Sequence, residues 1–332
     1  MSALLEVRNL SVTFDTARGS VPAVRDVSFA LAAGEILGLV GESGSGKSAT
    51  ALALPRILDS NARVTGQVIF AGRDLQPLPE SEMRQVRGAG LSMIFQEPMT
   101  ALNPVMKIGD QIAEAVRAHH AVSGKQAHDD ALSMLRQVAI PEPERRMTQY
   151  PHHLSGGMRQ RVMIAMALAA PARAGRPCVL IADEPTTALD VTIQAEILAL
   201  LKQLRDRFGL AILLITHDLG VVAETADRVA VMYAGRIVES GPIAKVFSAP
   251  AHPYTRGLLR VAPTLDLPRG GRLATIPGAA PHPSALPPGC SFEPRCEARI
   301  VPCVAAVPDL TPLESGRDSR CIRAEEVASG HA

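Results

Sequence analysis

The chain has 332 residues, room for about two domains, and 47% of them are apolar against 20% charged. That composition excludes a wholly disordered chain, and Lys plus Arg (34) against Asp plus Glu (33) leaves no overall basic field that points to nucleic acid. The start, Met1-Ser2-Ala3-Leu4-Leu5-Glu6, lacks the charged head and apolar core of a signal peptide. The longest apolar run, residues 162–170, is far shorter than the roughly 20 residues a membrane helix needs. Neither secretion nor a membrane span is expected of this chain by its own means. No repeat period of about 20–50 residues is visible, which argues against a solenoid or propeller.

In chain order, residues 5–12 and 23–29 read as strands, and Ala33-Gly34 marks a turn before the apolar run 36–40. A further strand, 68–70, ends at Ala71-Gly72. Between about 107 and 140 the spacing becomes helical, with Ile108, Ile112, Ala115 and Val116 on one face and Ala131, Leu132, Leu135 and Val138 on another. Helical spacing returns over 157–170 and 192–207. Residues 178–182, 211–215 and 229–232 are short apolar runs of the kind buried on both faces of a parallel sheet. Strands alternating with helices predict an α/β core with a largely parallel sheet, and residues of about 100–165 read as an inserted helical subdomain. Twelve prolines fall in residues 1–240 and 14 in the remaining 92, and four of the five cysteines lie in the last 43 residues. A regular domain is therefore expected to about residue 240, followed over 241–332 by a loop-rich extension that needs another means of holding shape.

Gly41-Glu42-Ser43-Gly44-Ser45-Gly46-Lys47-Ser48 matches G-x-x-x-x-G-K-[ST] at every fixed position, after the apolar run and before a helical one. Gly41, Ser43, Gly44 and Gly46 let successive backbone N–H groups curl around phosphate oxygens, and the following helix N-terminus favours negative charge. Lys47 is suited to the β- and γ-phosphates and Ser48 to Mg²⁺. The alternative is a glycine-rich strand-to-helix turn without a ligand. In Cys178-Val179-Leu180-Ile181-Ala182-Asp183-Glu184 an apolar run ends in two acids, where ligands bind in open α/β sheets. Asp183 is suited to hold Mg²⁺ through a water, and Glu184 to orient and deprotonate an attacking water. By itself such a run is equally a strand entering a solvated turn. His217 follows the 211–215 run as a third polar group at a strand end.

Together with Leu154-Ser155-Gly156-Gly157-Met158-Arg159-Gln160-Arg161, which looks like a signature motif, these residues closely resemble the ATP-binding cassette ATPases of ABC transporters. The resemblance implies the P-loop ATPase fold, with ATP and Mg²⁺ as ligands and a head-to-tail cassette pair. In that pair Ser155, Gly156 and Gly157 of one chain close on ATP held by the other, and Ser-Gly-Gly opening a helix is physically an anion-binding terminus. Carried over by motif, Phe14 is the aromatic that stacks on adenine, or else a plain strand aromatic. Gln96 is the Q-loop glutamine that senses Mg²⁺, Ala188-Leu189-Asp190 the D-loop, and His217 the histidine contacting γ-phosphate.

The stretches Gln149 to Leu168, Ala182 to Thr192, His252-Pro253-Tyr254-Thr255 and Gly289 to Cys296 resemble the dipeptide/oligopeptide importer subfamily. This implies peptide uptake at the cytoplasmic face of the inner membrane. The implied partners are two transmembrane permease subunits, a second ATPase subunit in a heterodimer and an extracytoplasmic solute-binding protein. Similar chains serve nickel, glutathione or other small solutes, and a soluble non-transport ATPase is a further alternative. His153 departs from the Glu or Gln common at its position, and residues 170–177 look longer than usual.

Cys290, Cys296, Cys303 and Cys321 supply four thiols in the extension. A reducing cytosol disfavours disulfides, whereas four thiolates suit Zn²⁺ or an iron–sulfur cluster. Free cysteines in a disordered tail are the bland alternative. The spacing lacks the C-x₂-C pairs of zinc ribbons, and the importer resemblance implies a 4Fe–4S cluster held by all four. Cys178, within an apolar run, is expected to be a core residue, and ATP binding is expected to be insulated from the thiols.

Overall fold

The computed structural model describes residues 3–17, 19–175, 178–261 and 275–331. The chain divides into two compact units, one of Met1–Leu5, Ala30–Glu35 and Ile69–Leu214, the other of Glu6–Phe29, Ile36–Val68 and Ile215–Ala332.

In the first unit, strands Leu91–Ile94 and Val179–Asp183 pair in parallel, Leu91 opposite Val179 through Ile94 opposite Ala182. All five residues of Val179–Asp183 are buried, as a strand covered on both faces requires. Strand Ala211–Thr216 begins in this unit, with Ala211 N–H donating to Cys178 O at 3.0 Å.

Three helices of the unit, Ile108–His119, Gly124–Gln137 and Gly156–Ala174, pack on one another. Ile108, Ile112 and Val116 from the first meet a core shared with Ala127, Ala131 and Leu135 from the second and Val162, Ala165 and Leu168 from the third, all fully buried or nearly so. Each large aliphatic side chain there contributes about 1.5–3 kcal/mol through burial. Ser123 caps the second helix by accepting from Gln126 N at 3.2 Å. The helical spacing seen over 157–170 continues further than the sequence suggests. Ala170–Ala174, expected as part of a lengthened loop, completes the third helix, which closes at Gly175 in the left-handed conformation (φ 59°). Arg176 and Pro177 lie outside the described residues.

In the second unit, strand Ile36–Val40, buried along its whole length, pairs in parallel with Arg228–Tyr233. Arg228–Tyr233 pairs antiparallel with Arg236–Pro242, through a bulge between Ile237 and Glu239. The extension then joins this sheet directly: Arg317–Ser319 pairs with Arg236–Pro242, and Thr311–Leu313 with Arg317–Ser319. Strands Gly19–Ala32, Ala3–Thr16 and Ala62–Phe70 line up in that order in a separate sheet, each with most of its length in this unit.

A buried carboxylate anchors the start of the extension. Glu239, with no exposed surface, accepts from Ala251 N at 2.7 Å and His252 N at 3.0 Å, immediately before helix Pro253–Val261. Burial raises its pKa, and these backbone donors oppose the shift.

Candidate nucleotide site and four-thiol pocket

The glycine-rich segment joins strand Ile36–Val40 to helix Lys47–Ala53, in the strand–loop–helix context the motif needs. Gly46 sits at φ +104°, and a Cβ there would lie 2.4 Å from the Ala23 carbonyl oxygen, so only glycine fits. Lys47 is buried, and its Nζ donates to Gly41 O at 2.8 Å and Glu42 O at 3.0 Å. The loop is thus arched around its own lysine. The turn at Ala234-Gly235 supports it, with Gly235 N donating to Ser45 O at 2.9 Å. Arg25 reinforces that turn by donating to Ala234 O at 2.6 Å and Ser291 Oγ at 2.9 Å. Burial, aided by Arg236 and Arg320, lowers the Arg25 pKa to about 10.

The same unit places Phe14, half-buried, in strand Ala3–Thr16. His217 is exposed, one residue past strand Ala211–Thr216. Its neighbour Asp218 caps helix Leu219–Thr225 by accepting from Gly220 N at 2.8 Å.

The acidic strand end belongs to the first unit. Asp183 is the buried last residue of its strand. Glu184 adopts a left-handed backbone (φ +46°), which turns its half-buried carboxylate off the strand line and costs about 1–3 kcal/mol for a residue with a Cβ. Its Oε2 accepts from Gln96 Nε2 at 3.1 Å and from Thr187 Oγ1 at 2.8 Å. Two sequence-predicted residues, Gln96 and Glu184, therefore meet across 88 positions of chain. Thr187 was missed, because a hydroxyl three residues past an acid carries no motif.

Ser155 caps the Gly156–Ala174 helix and, like Gly156, is exposed. A Cβ on Gly157 would lie 2.8 Å from Ile193 Cγ2, so glycine permits the close approach of helix Val191–Phe208. Asp190 caps that helix, accepting from Ile193 N at 2.9 Å. His153 is exposed, its Nδ1 accepts from Tyr150 N at 3.4 Å, and its ring meets that of His152 edge-on at 4.1 Å.

Cys290, Cys296, Cys303 and Cys321 line one small cavity of about 20 Å³, with Phe292, Pro308 and Ile322. Cys290 N donates to Cys303 O at 2.8 Å and Arg323 N to Cys321 Sγ at 3.4 Å. Burial pushes Cys296 and Cys321 up to about 11, and the three other thiols add to the rise at Cys321. Among the described residues, no three His, Cys, Asp or Glu side chains converge tightly enough to hold a metal ion. Cys178 is fully buried, as expected of a core residue.

The phosphate loop touches the extension that carries the thiols. Arg295, beside Cys296, forms a bidentate ion pair with Glu42 in the phosphate loop, and Tyr254 hydroxyl accepts Glu42 N–H at 2.8 Å. Neither Arg295 nor Tyr254 carries a motif role in the sequence, because only the fold brings them to Glu42.

A strand–phosphate-loop–helix unit, an acidic strand end and a serine-capped signature helix define an ATPase of the cassette class. The chain belongs to the ATP-binding subunits of ABC transporters. The ABC transporter family model matches residues 24–187, and the model described as oligopeptide/dipeptide transporter, C-terminal region, matches 238–303. A putative peptide import ATP-binding protein of Brucella abortus is 54% identical over 319 residues, covering 96% of this chain and 94% of that protein. The oligopeptide transport ATP-binding protein OppD of Salmonella typhimurium is 51% identical over 325 residues, covering 98% and 95%. Among solved structures, the ATP-binding cassette MJ0796, a dimer in a post-hydrolysis state with ADP and Pi, matches with TM-score 0.63 and 26% identity over 72% of this chain and 98% of its own. The structure of cbiO1 of Clostridium perfringens, part of the ABC transporter complex cbiONQ, matches with TM-score 0.61 at 25% identity over 75% of this chain and 92% of its own. Among the described residues no helix is long and apolar enough to cross a membrane.

Proposed function

We propose that this chain is the ATP-hydrolysing subunit of an importer of dipeptides or oligopeptides. It works with a related second ATPase beneath two permease subunits, at the cytoplasmic face of the inner membrane, and receives cargo from an extracytoplasmic solute-binding protein. The observation that carries this reading is the near full-length similarity to peptide-import ATPases, which continues through the extension, combined with an intact phosphate loop.

On this reading Phe14 stacks on adenine, and Gly41, Ser43, Gly44 and Gly46 present backbone N–H groups to the phosphates. Lys47 exchanges its bonds to Gly41 O and Glu42 O for charge-assisted bonds to phosphate oxygens. Ser48 and Gln96, with Asp183 through a water, would hold Mg²⁺, whose charge would offset that of the β- and γ-phosphates. Glu184 orients a water and takes its proton as the water oxygen bonds to the γ-phosphorus. The bond from γ-phosphorus to the bridging oxygen breaks, leaving ADP and phosphate, while His217 donates to the γ-phosphoryl oxygens. Ser155, Gly156 and Gly157 close on ATP held by the partner cassette, as a helix N-terminus suits.

The importer resemblance points to a 4Fe–4S cluster on the four extension thiols, with Zn²⁺ the alternative. The thiols line one cavity of about 20 Å³, and among the described residues no three ligand side chains converge on a metal position, so loading either group would have to spread them and would be coupled to the fold of the extension. Membrane vesicles carrying the full complex test the function: ATP-driven uptake of labelled peptide is expected, and its absence with uptake of Ni²⁺ or glutathione instead would reassign the cargo.

A further inference from the structure

The phosphate-loop motif leaves position 42 free, and here that position is Glu42, held at three points. Arg295 Nη1 donates to Oε2 at 2.8 Å and Nη2 to Oε1 at 3.0 Å. The Glu42 N–H donates to Tyr254 hydroxyl at 2.8 Å, and the Glu42 carbonyl accepts from Lys47 Nζ at 3.0 Å. One residue therefore links the lysine meant for phosphate to two side chains that lie beyond residue 250.

Both outer partners are fixed. The Arg295 side chain is only 6% exposed, its Nε donates to Pro277 O at 2.9 Å, and its guanidinium lies 5.8 Å from the Tyr233 ring centre and 5.9 Å from that of Phe292. The guanidinium is largely out of water and its charge is met by this carboxylate, whose own side chain remains 29% exposed. The buried Tyr254 ring packs on Tyr233 at 4.5 Å and Phe292 at 5.4 Å. Arg295 and Phe292 sit on the short loop from Cys290 to Cys296, and Phe292 also lines the thiol cavity. The Arg295 clamp on Glu42 and part of the thiol cavity lining therefore share one short loop.

We propose that Arg295 and Tyr254 are positioning residues for ATP, acting through Glu42, and that the four-thiol knot sets their place, so that the state of the thiols is read out as nucleotide affinity. A phosphate loop binds through N–H groups whose directions must be set before the ligand arrives, and restraint from outside lowers the ordering cost of binding. The inference rests on the ATP reading of the loop.

The test uses the full-length chain, a fluorescent ATP analogue for Kd, and steady-state hydrolysis for KM and kcat. Tyr254→Phe, which removes one hydroxyl and keeps the ring, should raise Kd and KM about fivefold. Arg295→Gln should raise them about tenfold, with Arg295→Lys between, and kcat should stay within about twofold. Adding Glu42→Gln to Arg295→Gln should cost nothing further, because both act through one pair. Cys296→Ser should raise Kd about threefold by loosening the loop. Tyr254→Phe and Arg295→Lys proteins that melt like wild type and bind ATP as tightly would overturn the positioning role, as would a fall in kcat at constant KM. Wild-type affinity in Cys296→Ser would overturn the thiol linkage. Lys47→Ala separates the causes: if it also binds like wild type, the nucleotide reading fails, and if only Lys47→Ala is weakened, the positioning inference alone fails.

Discussion

Replacing Glu184 by Gln changes the charge and proton affinity of one side chain and almost nothing of its size. The glutamate Oε2 accepts from Gln96 Nε2 and Thr187 Oγ1. A glutamine carbonyl oxygen can keep these acceptor contacts, so the local structural cost is at most about 1 kcal/mol. What disappears is the ability to take a proton from water, worth roughly 10²–10⁴ in rate or about 3–5 kcal/mol of barrier. Lys47 and the phosphate loop are untouched, so Kd for ATP should change less than about threefold. Single-turnover hydrolysis with labelled ATP, together with a fluorescence titration, measures both quantities. Gel filtration with ATP and the second ATPase subunit should show the Glu184→Gln chain trapped in a cassette pair. Turnover within tenfold of wild type would refute the role of Glu184 as base, and loss of ATP binding would refute the separation of binding from chemistry.

Gly46→Ala, which forces a Cβ at φ +104° to 2.4 Å from Ala23 O, should lose at least about 2 kcal/mol by urea unfolding; unchanged stability would contradict the loop geometry. Ser155→Arg removes the cap on Met158 N, a local cost of about 1 kcal/mol, and should abolish transport by the complex while this chain's own ATP binding persists; full transport counts against the signature role. Anaerobically purified protein should be brown, with iron and acid-labile sulfide each near about four per chain, reduced by Cys→Ser at 290, 296, 303 or 321 but not by Cys178→Ser; one zinc without sulfide would replace the cluster, and no metal would leave free thiols. His252, fully buried and accepting from Tyr254 N at 3.1 Å, has its pKa lowered to about 3 by burial and Arg320. The unfolded chain then binds the extra proton between about pH 6.5 and 3, so stability falls as pH falls through that window, by at most on the order of 5 kcal/mol. His252→Asn, which removes the titration while keeping an acceptor, should flatten the melting temperature across it; an unchanged acid slope would assign the effect elsewhere.

What was legible in the sequence was local. Residues 36–40 and 211–215 read as strands because a parallel strand buried on both faces is apolar at every position. The phosphate loop was legible because the conformation at Gly46 admits one residue type, and the Ser155 cap because a hydroxyl before Gly-Gly satisfies a free helix N–H. The helix end was misjudged at Ala170. Pro171 suggests a break, yet a proline in the last helical turn removes only one backbone bond, and Gly175 N still reaches Pro171 O at 3.2 Å. The meeting of Gln96 with Glu184 needed the pairing of Leu91–Ile94 beside Val179–Asp183, which neither segment encodes alone.

The division near residue 240 rested on composition, and composition measures how a segment keeps its shape rather than where it packs. Proline-rich, cysteine-rich sequence does mark a piece that cannot build its own apolar core. Such a piece has a reason to borrow one, and here it adds Arg317–Ser319 and Thr311–Leu313 to a strand of the cassette sheet. Once that edge is joined, Tyr254 and Phe292 gain a place against Tyr233, and Arg295 is carried to Glu42 across 253 positions of chain. The nucleotide loop and the thiol knot therefore share a single support. A change of thiol state has a direct mechanical route to the loop, through the loop from Cys290 to Cys296, and that route is absent only if the clamp on Glu42 carries no part of the binding energy for ATP.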